Sequence, residues 1–431
     1  MTGYTIAELG DWNKKLEALA AKNGLNYYDQ HFELCDYEDM LCCEAYAGMP
    51  SHYPHWSYGK AYERQKTFYK YNMVGLPYEM VINSDPCIAY LMRDNTLPLQ
   101  LLTMAHVYGH NDFFKNNRLF KERTRAELTL EMFKIHANRI RGYIQDPSIG
   151  PAKVERILDA AHALRFQTDR HNSRKLLTRK ELASDAATPL PESLKGDLLG
   201  FLAERAQLAA WEKDLIEIVH YESSYFMPQI ETKIMNEGWA SFWHYRLLQE
   251  LNLPANLYLE FLQRHHMVVR PLSGHINPYC LGFKLFASLA ESPDGLAKIM
   301  EVRALERDQS FLRRYLTREL CQELNLFSYT IISNSIVVKE VADETGWQTI
   351  KNALIMNVGL AAIPKINPVA VDNGTLSLEH VFDGRELELN YAKETLKYVV
   401  DLWGGRVELA TTLNNRKIVI QCDTDKLVLV K

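Results

Sequence analysis

The chain has 431 residues, of which 47% are hydrophobic and 24% are charged, and its net charge is −5. This composition is ordinary for a globular protein, and the length allows two or three domains. The lack of a basic surplus argues against a nucleic acid as partner.

Two further classes of protein are excluded by the same reading. The seven cysteines are odd in number and contain no C-x-x-C pair, so we expect neither a disulfide framework nor a thiolate zinc site. The chain lacks a basic, apolar leader and any uncharged apolar run of about 18 residues. We therefore expect no signal peptide, no membrane span and a cytoplasmic location.

In chain order, the first predicted element is a helix over residues 5–23, capped by Thr5 and ended by Asn23-Gly24. Residues 49–60 hold two prolines, two histidines and a glycine, which predict an ordered loop. His52 and His55 are either ligands, substrate contacts or members of a packed aromatic loop. Pro98 suits the first turn of a helix that continues past His110.

The middle of the chain is predicted to be mostly helical. Residues 166–198 are polar, contain two basic pairs, and are predicted to form a surface loop or lid. Pro228 is expected to interrupt the helix before it, and a long helix then runs to about residue 250. That helix is apolar on nearly every side, which is typical of a buried helix.

The sequence pattern changes near residue 326, where β-branched residues become frequent. The order β-α-β-β-α-β-β follows, with a hairpin signal at Asp372-Asn373-Gly374. The predicted fold is a mainly α domain over residues 1–325 and a small α+β domain over 326–431 with an antiparallel sheet. Since the second domain has no titratable cluster, we expect it to serve docking or regulation.

Two histidines at helical spacing point to a metal site. His106 and His110 are one turn apart and face the same side of their helix. Glu237 lies on a buried stripe of the long helix, where a carboxylate needs a cation, a metal or several donors. These three residues form the ligand set of a zincin-like helical core around zinc or another divalent metal. A pair of core histidines with no metal is the alternative.

The catalytic residues of such a site are less clear from the sequence. In H-E-x-x-H the glutamate after the first histidine is the general base, but Val107 occupies that position. A base would have to come from elsewhere, with Glu217, Glu222 and Glu131 as candidates. His244 lies two turns after Glu237 and is a fourth ligand, a proton donor or a partner of a ligand.

A di-iron site is a rival interpretation. Glu217-x-x-His220 is one half of the carboxylate-bridged set found in helical bundles. The complete set requires a second E-x-x-H, and the sequence contains none. Motifs of nucleotide-binding proteins and serine hydrolases are also missing.

Several long runs resemble the stage V sporulation protein R (SpoVR) family. The matching runs are Pro54-His-Trp-Ser-Tyr-Gly-Lys60, Ile82-Asn-Ser-Asp-Pro-Cys-Ile-Ala-Tyr-Leu91, Ala105-His106-x-x-Gly109-His110-Asn-x-Phe-Phe-Lys-Asn-Asn117, Phe226-x-Pro-Gln-x-x-Thr-Lys233-x-Met-Asn236-Glu237-Gly-Trp-Ala-x-Phe-Trp-His244 and Asn277-Pro-Tyr279-x-Leu-Gly-Phe-Lys284. They span most of the chain, and residues 326–431 resemble the C-terminal domain of the family.

The resemblance implies a cytoplasmic bacterial protein connected with spore-cortex formation, or with stationary-phase and stress responses in relatives that do not sporulate. Val107 then is a trait of the family. Candidates for substrate binding within the matching runs are His55, Trp56, Lys233, Asn236 and Tyr279.

Two functions from different classes follow. The first is a metallohydrolase acting on a peptide or amide bond, with metal-bound water as the nucleophile. The second is a non-catalytic regulatory or scaffold protein that acts through an unknown protein partner, with a structural or metal-free His/Glu cluster. A free carboxylate near the metal would favour the first, and a closed four-ligand site would favour the second.

Overall fold

The computed structural model describes residues 4–70, 79–168, 196–272, 275–332 and 335–431. The chain is mainly helical and divides into two compact units. The first unit comprises Met1–Lys134 and Pro228–Ala361, and the second comprises Ile135–Met227 and Ala362–Lys431. None of the helices in the described parts combines the length and apolarity needed to cross a membrane.

The described residues form the following helices and strands. The helices are α1 (Ile6–Lys22), α2 (Tyr37–Ala45), α3 (Trp56–Lys70), α4 (Leu97–Asn116), α5 (Arg118–Arg123), α6 (Thr129–Gln145), α7 (Pro151–Ala163), α8 (Leu198–Arg205), α9 (Ala210–Glu231), α10 (Lys233–Glu250), α11 (Ala255–Val268), α12 (Pro278–Ala290), α13 (Gly295–Leu305), α14 (Asp308–Tyr315), α15 (Arg318–Glu323), α16 (Gly346–Met356) and α17 (Leu389–Trp403). The strands are β1 (Gln30–Cys35), β2 (Glu79–Ile82), β3 (Cys87–Met92), β4 (Phe327–Ile332), β5 (Ser335–Val341), β6 (Ile366–Asp372), β7 (Thr375–His380), β8 (Val407–Leu413), β9 (Arg416–Cys422) and β10 (Val428–Val430).

Helix α4 is the centre of the first unit, because every residue from Leu97 to Phe114 is buried. It packs against α10, which packs in turn against α12. A three-stranded sheet of order β1-β3-β2 lies against α4 through β2 and β3. Strand β1 is parallel to β3, whereas β2 is antiparallel to it and forms an edge of the sheet.

Glycines set the spacing between these three helices. A Cβ atom on Gly109 of α4 would lie 2.6 Å from the Cα atom of Ala240 on α10. A Cβ atom on Gly282 of α12 would lie 2.1 Å from the carbonyl oxygen of Ile234, and one on Gly238 would lie 2.3 Å from the Gly282 Cα atom. Side chains at these positions would force the helices apart, so the close packing requires glycine.

A buried ion pair ties α4 to its neighbours. Asp112 accepts hydrogen bonds from the Nε1 atom of Trp239 on α10 (2.9 Å) and from the backbone amide of Asn26 (2.8 Å). Arg303 of α13 donates to the same carboxylate over 3.0 Å, and both side chains are buried. Four separate parts of the first unit therefore meet at one carboxylate.

The predicted first helix is confirmed, since α1 begins after Thr5, whose Oγ1 atom accepts from the amide of Glu8. The predicted loop over residues 49–60 is wrong in its second half, where α3 already begins at Trp56. Both prolines of that stretch precede the helix, so they restrict its start but not its course.

The predicted interruption at Pro228 is also wrong, because α9 continues through it to Glu231. Proline removes one backbone donor, here the bond to the carbonyl group of residue 224, and the helix ends three residues later. Most of the predicted lid, residues 169–195 with both basic pairs, lies outside the described residues.

The second unit contains a five-stranded sheet of order β10-β9-β8-β7-β6. The predicted antiparallel sheet is confirmed for three of its pairings. Strands β7 and β8 are instead parallel, because α17 connects them as a crossover. The contacts of the structure group the β4–β5 hairpin and α16 with the first unit. The domain boundary at 325/326 stays a prediction.

We expect Gly282→Ala to lower the free energy of unfolding by roughly 3 kcal/mol, since the new methyl group meets backbone atoms that cannot move without separating α10 from α12. Gly10→Ala is the control, because nothing lies within 4 Å of a Cβ there and the residue is in a helix. The control should leave stability unchanged or raise it by up to about 1 kcal/mol. Urea unfolding followed by circular dichroism measures both, and equal stability of the two variants would contradict the packing argument.

We expect Arg303→Met to cost about 3–5 kcal/mol, because it leaves the Asp112 carboxylate buried without its cation. The double variant Asp112→Asn/Arg303→Met should recover part of that loss. Lys298→Met on the same helix removes an exposed cation that pairs with Glu301, and it should have little effect on stability. If the single and double variants unfold at the same urea concentration, the pair does not hold α4 and α13 together.

Candidate metal site

Two histidines of α4 face one glutamate of α10. His106 and His110 are buried and one helical turn apart, and their ring centroids are separated by 4.6 Å. The Oε2 atom of Glu237 lies 3.7 Å from the Nε2 atom of His106 and 3.6 Å from that of His110. The structure therefore brings together the three residues that the sequence predicts as ligands.

Strand β2 contributes a fourth donor, which the sequence analysis missed. The Oε1 atom of Glu79 lies 3.9 Å from the Nε2 atom of His106. Glu79, His106 and His110 each offer a ligand atom, and these atoms lie within 4.8 Å of one another. The signal that could have found Glu79 is the one used for Glu237, namely an acid among apolar residues, here at the start of Glu79–Ile82.

Neighbouring side chains orient both histidines. The Nδ1 atom of His110 lies 2.9 Å from the amide oxygen of Asn236, and the Nδ1 atom of His106 lies 2.9 Å from the Nδ1 atom of His244. Because an amide oxygen only accepts, the proton of His110 is on Nδ1, and its Nε2 lone pair faces Glu237. Partners of this kind are what metal-binding histidines require.

Tyr279 of α12 closes another side of the site. Its ring is stacked on His106 with centroids 6.0 Å apart, and its hydroxyl interacts electrostatically with Glu237. The negative charge of Glu237, with burial, raises the pKa of Tyr279 well above its usual value. The hydroxyl thus stays protonated near the Glu237 carboxylate.

The two carboxylates differ in charge state. Burial raises the pKa of Glu79 to about 7. Burial acts on Glu237 as well, but His106, His110 and Tyr279 outweigh it and hold its pKa below the usual value. Burial lowers the pKa of His110 to about 4, so this imidazole is neutral near pH 7 and available as a ligand.

The residues fit a divalent cation. Among the described residues, neither the Nε2 atom of His106 nor the Oε2 atom of Glu237 has a hydrogen-bond partner, although both are buried. Separations of 3.6–3.9 Å are too long for hydrogen bonds. Ligand atoms around a tetrahedral ion with bonds of 2.0–2.1 Å lie about 3.3 Å apart. A small inward shift of these side chains would therefore bring their donor atoms to the spacing that one bound ion requires.

The two glutamates are the more exposed members of the site. The side chains of Glu79 and Glu237 keep 17% and 18% of their surface exposed, against 3% for His106 and 7% for His110. The histidines thus lie deeper in the protein than the two glutamates.

The predicted substrate-binding residues are in different places. Asn236 and Tyr279 support His110 and Glu237, as described above. Lys233 is exposed and lies one helical turn before Glu237 on the same face of α10. His55 and Trp56 lie at the start of α3, where their rings are 5.6 Å apart. Substrate binding by these residues stays a prediction.

The carboxylates predicted as general bases have separate surroundings. Glu217 and Glu222 belong to the second unit. Glu217 is exposed, whereas Glu222 is buried with its Oε1 atom 3.1 Å from the Nδ1 atom of His136. Glu131, on α6 in the first unit, is exposed. The catalytic roles of Glu217 and Glu222 stay predictions.

Comparisons with known proteins agree with the resemblance drawn from the sequence motifs. The sequence matches the family described as SpoVR like protein over residues 3–188 and 177–363, and the SpoVR-like C-terminal domain over residues 364–414. A relative from Escherichia coli (strain K12), described as uncharacterized protein YcgB, is 33% identical over 475 alignment positions. These cover 94% of this chain and 92% of the relative. No solved structure matches the chain.

Proposed function

The chain belongs to the SpoVR family, and we propose that it is a metal-dependent hydrolase of a peptide or amide bond. The observation that carries the proposal is the meeting of four donor side chains, in which the buried Nε2 atom of His106 and Oε2 atom of Glu237 have no hydrogen-bond partner among the described residues. His106, His110 and Glu237 are the proposed ligands, with zinc or another divalent metal between them. Their pattern is zincin-like, because the histidines are one turn apart and the carboxylate comes from a second helix.

Glu79 is the proposed general base, the role that the glutamate has in an H-E-x-x-H motif. In that motif the glutamate beside the ligands is the general base, and Val107 cannot replace it. The Oε1 atom of Glu79 lies 3.9 Å from the Nε2 atom of His106, and the Glu79 side chain is partly exposed. Glu79 is therefore close to a proposed ligand and to solvent at the same time. We assign to it the removal of a proton from water and its delivery to the leaving amine.

Other side chains of the site have supporting tasks. A divalent cation bound here would polarise the substrate carbonyl and lower the pKa of a water molecule. Tyr279 interacts with Glu237 through its hydroxyl, and Asn236 holds His110. Exposed Lys233, on the face of α10 that carries Glu237, is positioned to contact a substrate that approaches the carboxylates.

A second candidate is a non-catalytic regulatory or scaffold protein that acts on a protein partner. It is favoured by the number of donors, since two histidines and two glutamates are enough to close a four-coordinate structural site. In that case Glu79 is a ligand and not a base. In either case, the family leads us to propose a role connected with spore-cortex formation or a stress response in the cytoplasm.

Metal content tests the site itself. We expect tag-free protein to contain about one divalent ion per chain by elemental analysis. His106→Ala/His110→Ala should abolish it, because two of the proposed ligands are lost. The control is His31→Ala/His275→Ala, which changes two exposed histidines and should retain the ion. Absence of metal from the folded wild type would contradict both the hydrolase and the structural metal site.

Glu79→Gln separates the two functions. If Glu79 is the general base, this variant keeps its metal and hydrolyses peptides about 10²- to 10⁴-fold more slowly, since the amide cannot accept the proton. Cleavage of a pool of synthetic peptides, read by mass spectrometry, measures the rate. Glu33→Gln, exposed on β1 of the same sheet, is the matched control and should be unaffected.

Two results would contradict the assignment of Glu79. Loss of the metal in Glu79→Gln would make Glu79 a ligand and favour the closed, structural site. Metal-loaded wild type that cleaves none of the peptides would favour the regulatory or scaffold protein.

A further inference from the structure

Three buried histidines form a continuous hydrogen-bonded chain that ends at the candidate metal site. The Nδ1 atom of His106 lies 2.9 Å from the Nδ1 atom of His244. The Nε2 atom of His244 lies 2.7 Å from the Nδ1 atom of His265 on α11. The side chains keep 3%, 0% and 2% of their surface exposed in that order. His265 was not singled out by the sequence analysis.

The second and third members of the chain, His244 and His265, are neutral. Burial lowers the pKa of His265 to about 3 and that of His244 well below its usual value. A neutral imidazole carries one proton, so one of its nitrogens donates and the other accepts. Each hydrogen bond of the chain therefore has one donor and one acceptor. The donor in one of the two hydrogen bonds determines the donor in the other.

Only two arrangements satisfy both links. In the first, His106 donates from Nδ1 to His244, which donates from Nε2 to His265, and the Nε2 lone pair of His106 faces the site. In the second, both hydrogen bonds run the other way, and a proton occupies the Nε2 atom of His106. The first arrangement binds a cation and the second excludes it.

His106 differs in this respect from His110. The tautomer of His110 is set by the amide oxygen of Asn236, which can only accept. The tautomer of His106 is set by another histidine, which can donate or accept. For His244 to donate from Nε2, His265 has to accept at its Nδ1 atom.

We propose that His265, acting through His244, is a positioning residue that fixes the tautomer of His106 and thereby the affinity of the site for a divalent cation. This inference rests on the proposed metal site. His265 is two hydrogen bonds away from the ligand nitrogen and touches neither ion nor substrate. It acts by accepting one hydrogen bond at its Nδ1 atom.

The test compares His265→Phe with His265→Gln and His266→Phe. Phenylalanine keeps the ring packing but removes the acceptor, and we expect the affinity for zinc to fall about 10- to 100-fold. Glutamine restores an acceptor through its amide oxygen and should recover most of the affinity. His266 is exposed beside His265, so His266→Phe is the matched control and should bind zinc like the wild type. Competition with a chromophoric chelator measures the affinity.

A second readout works without any metal. Nitrogen NMR of ¹⁵N-histidine-labelled apoprotein reports which ring nitrogen of His106 carries the proton, with the resonance assigned through His106→Gln. We expect the proton on Nδ1 in the wild type and a shift towards Nε2 in His265→Phe. Melting curves of all variants confirm that they are folded.

The outcomes separate this inference from the proposed function. If the wild type binds zinc and His265→Phe matches it in affinity and tautomer, the inference is overturned while the metal site stands. If the wild type binds no zinc, the proposed function fails, and the apoprotein spectra still decide the inference. Equal loss of affinity in the phenylalanine and glutamine variants would also overturn it, since a lost acceptor would not be the cause.

Discussion

The first unit depends on the burial of α4 on all its sides. A wholly buried helix satisfies its own backbone, but each polar side chain on it must find a partner from another element. The Asn111 amide accepts a hydrogen bond from the backbone of Tyr28 and donates one to it. The Asp112 carboxylate accepts hydrogen bonds from Asn26, Trp239 and Arg303. The two histidines lie one turn apart and face β2 and α10, so their polar partners have to come from these two elements. The candidate site is thus part of the same set of constraints that assembles the core.

Close helix packing and site geometry have a common origin. Gly109 directly precedes His110, and Gly238 directly follows Glu237. Because Gly109 has no side chain, α4 and α10 approach closely enough for the Glu237 carboxylate to lie 3.6 Å from the His110 ring nitrogen, whereas Gly238 lets α10 lie close to α12. A methyl group at Gly109 would widen the gap between α4 and α10, and a metal bond of about 2.0–2.1 Å tolerates little widening.

The sequence predicts features that depend on short spacing and misses those that depend on pairing between distant segments. Helical spacing relates His106 to His110, and one apolar stripe shows that Glu237 faces inward. Glu79 could not be predicted from spacing, because its position follows from the pairing of β2 with β3 and from the contact of that sheet with α4. His265 could not be predicted for the same reason, since 21 residues and a turn separate it from His244. The parallel β7–β8 pair required knowledge that α17 is a crossover.

The distances and charges in the site favour a bound cation over a cluster of histidines and glutamates that satisfies its own hydrogen bonds. A self-sufficient cluster would bring the imidazole Nε2–H groups to within about 2.7–3.2 Å of the carboxylate oxygens. Here the separations are 3.6–3.9 Å, and the facing atoms of His106 and Glu237 have no partner among the described residues. Two carboxylates in one buried site also repel each other, and burial favours a proton on Glu79. A divalent cation would remove the need for that proton and would give both orphaned atoms a partner.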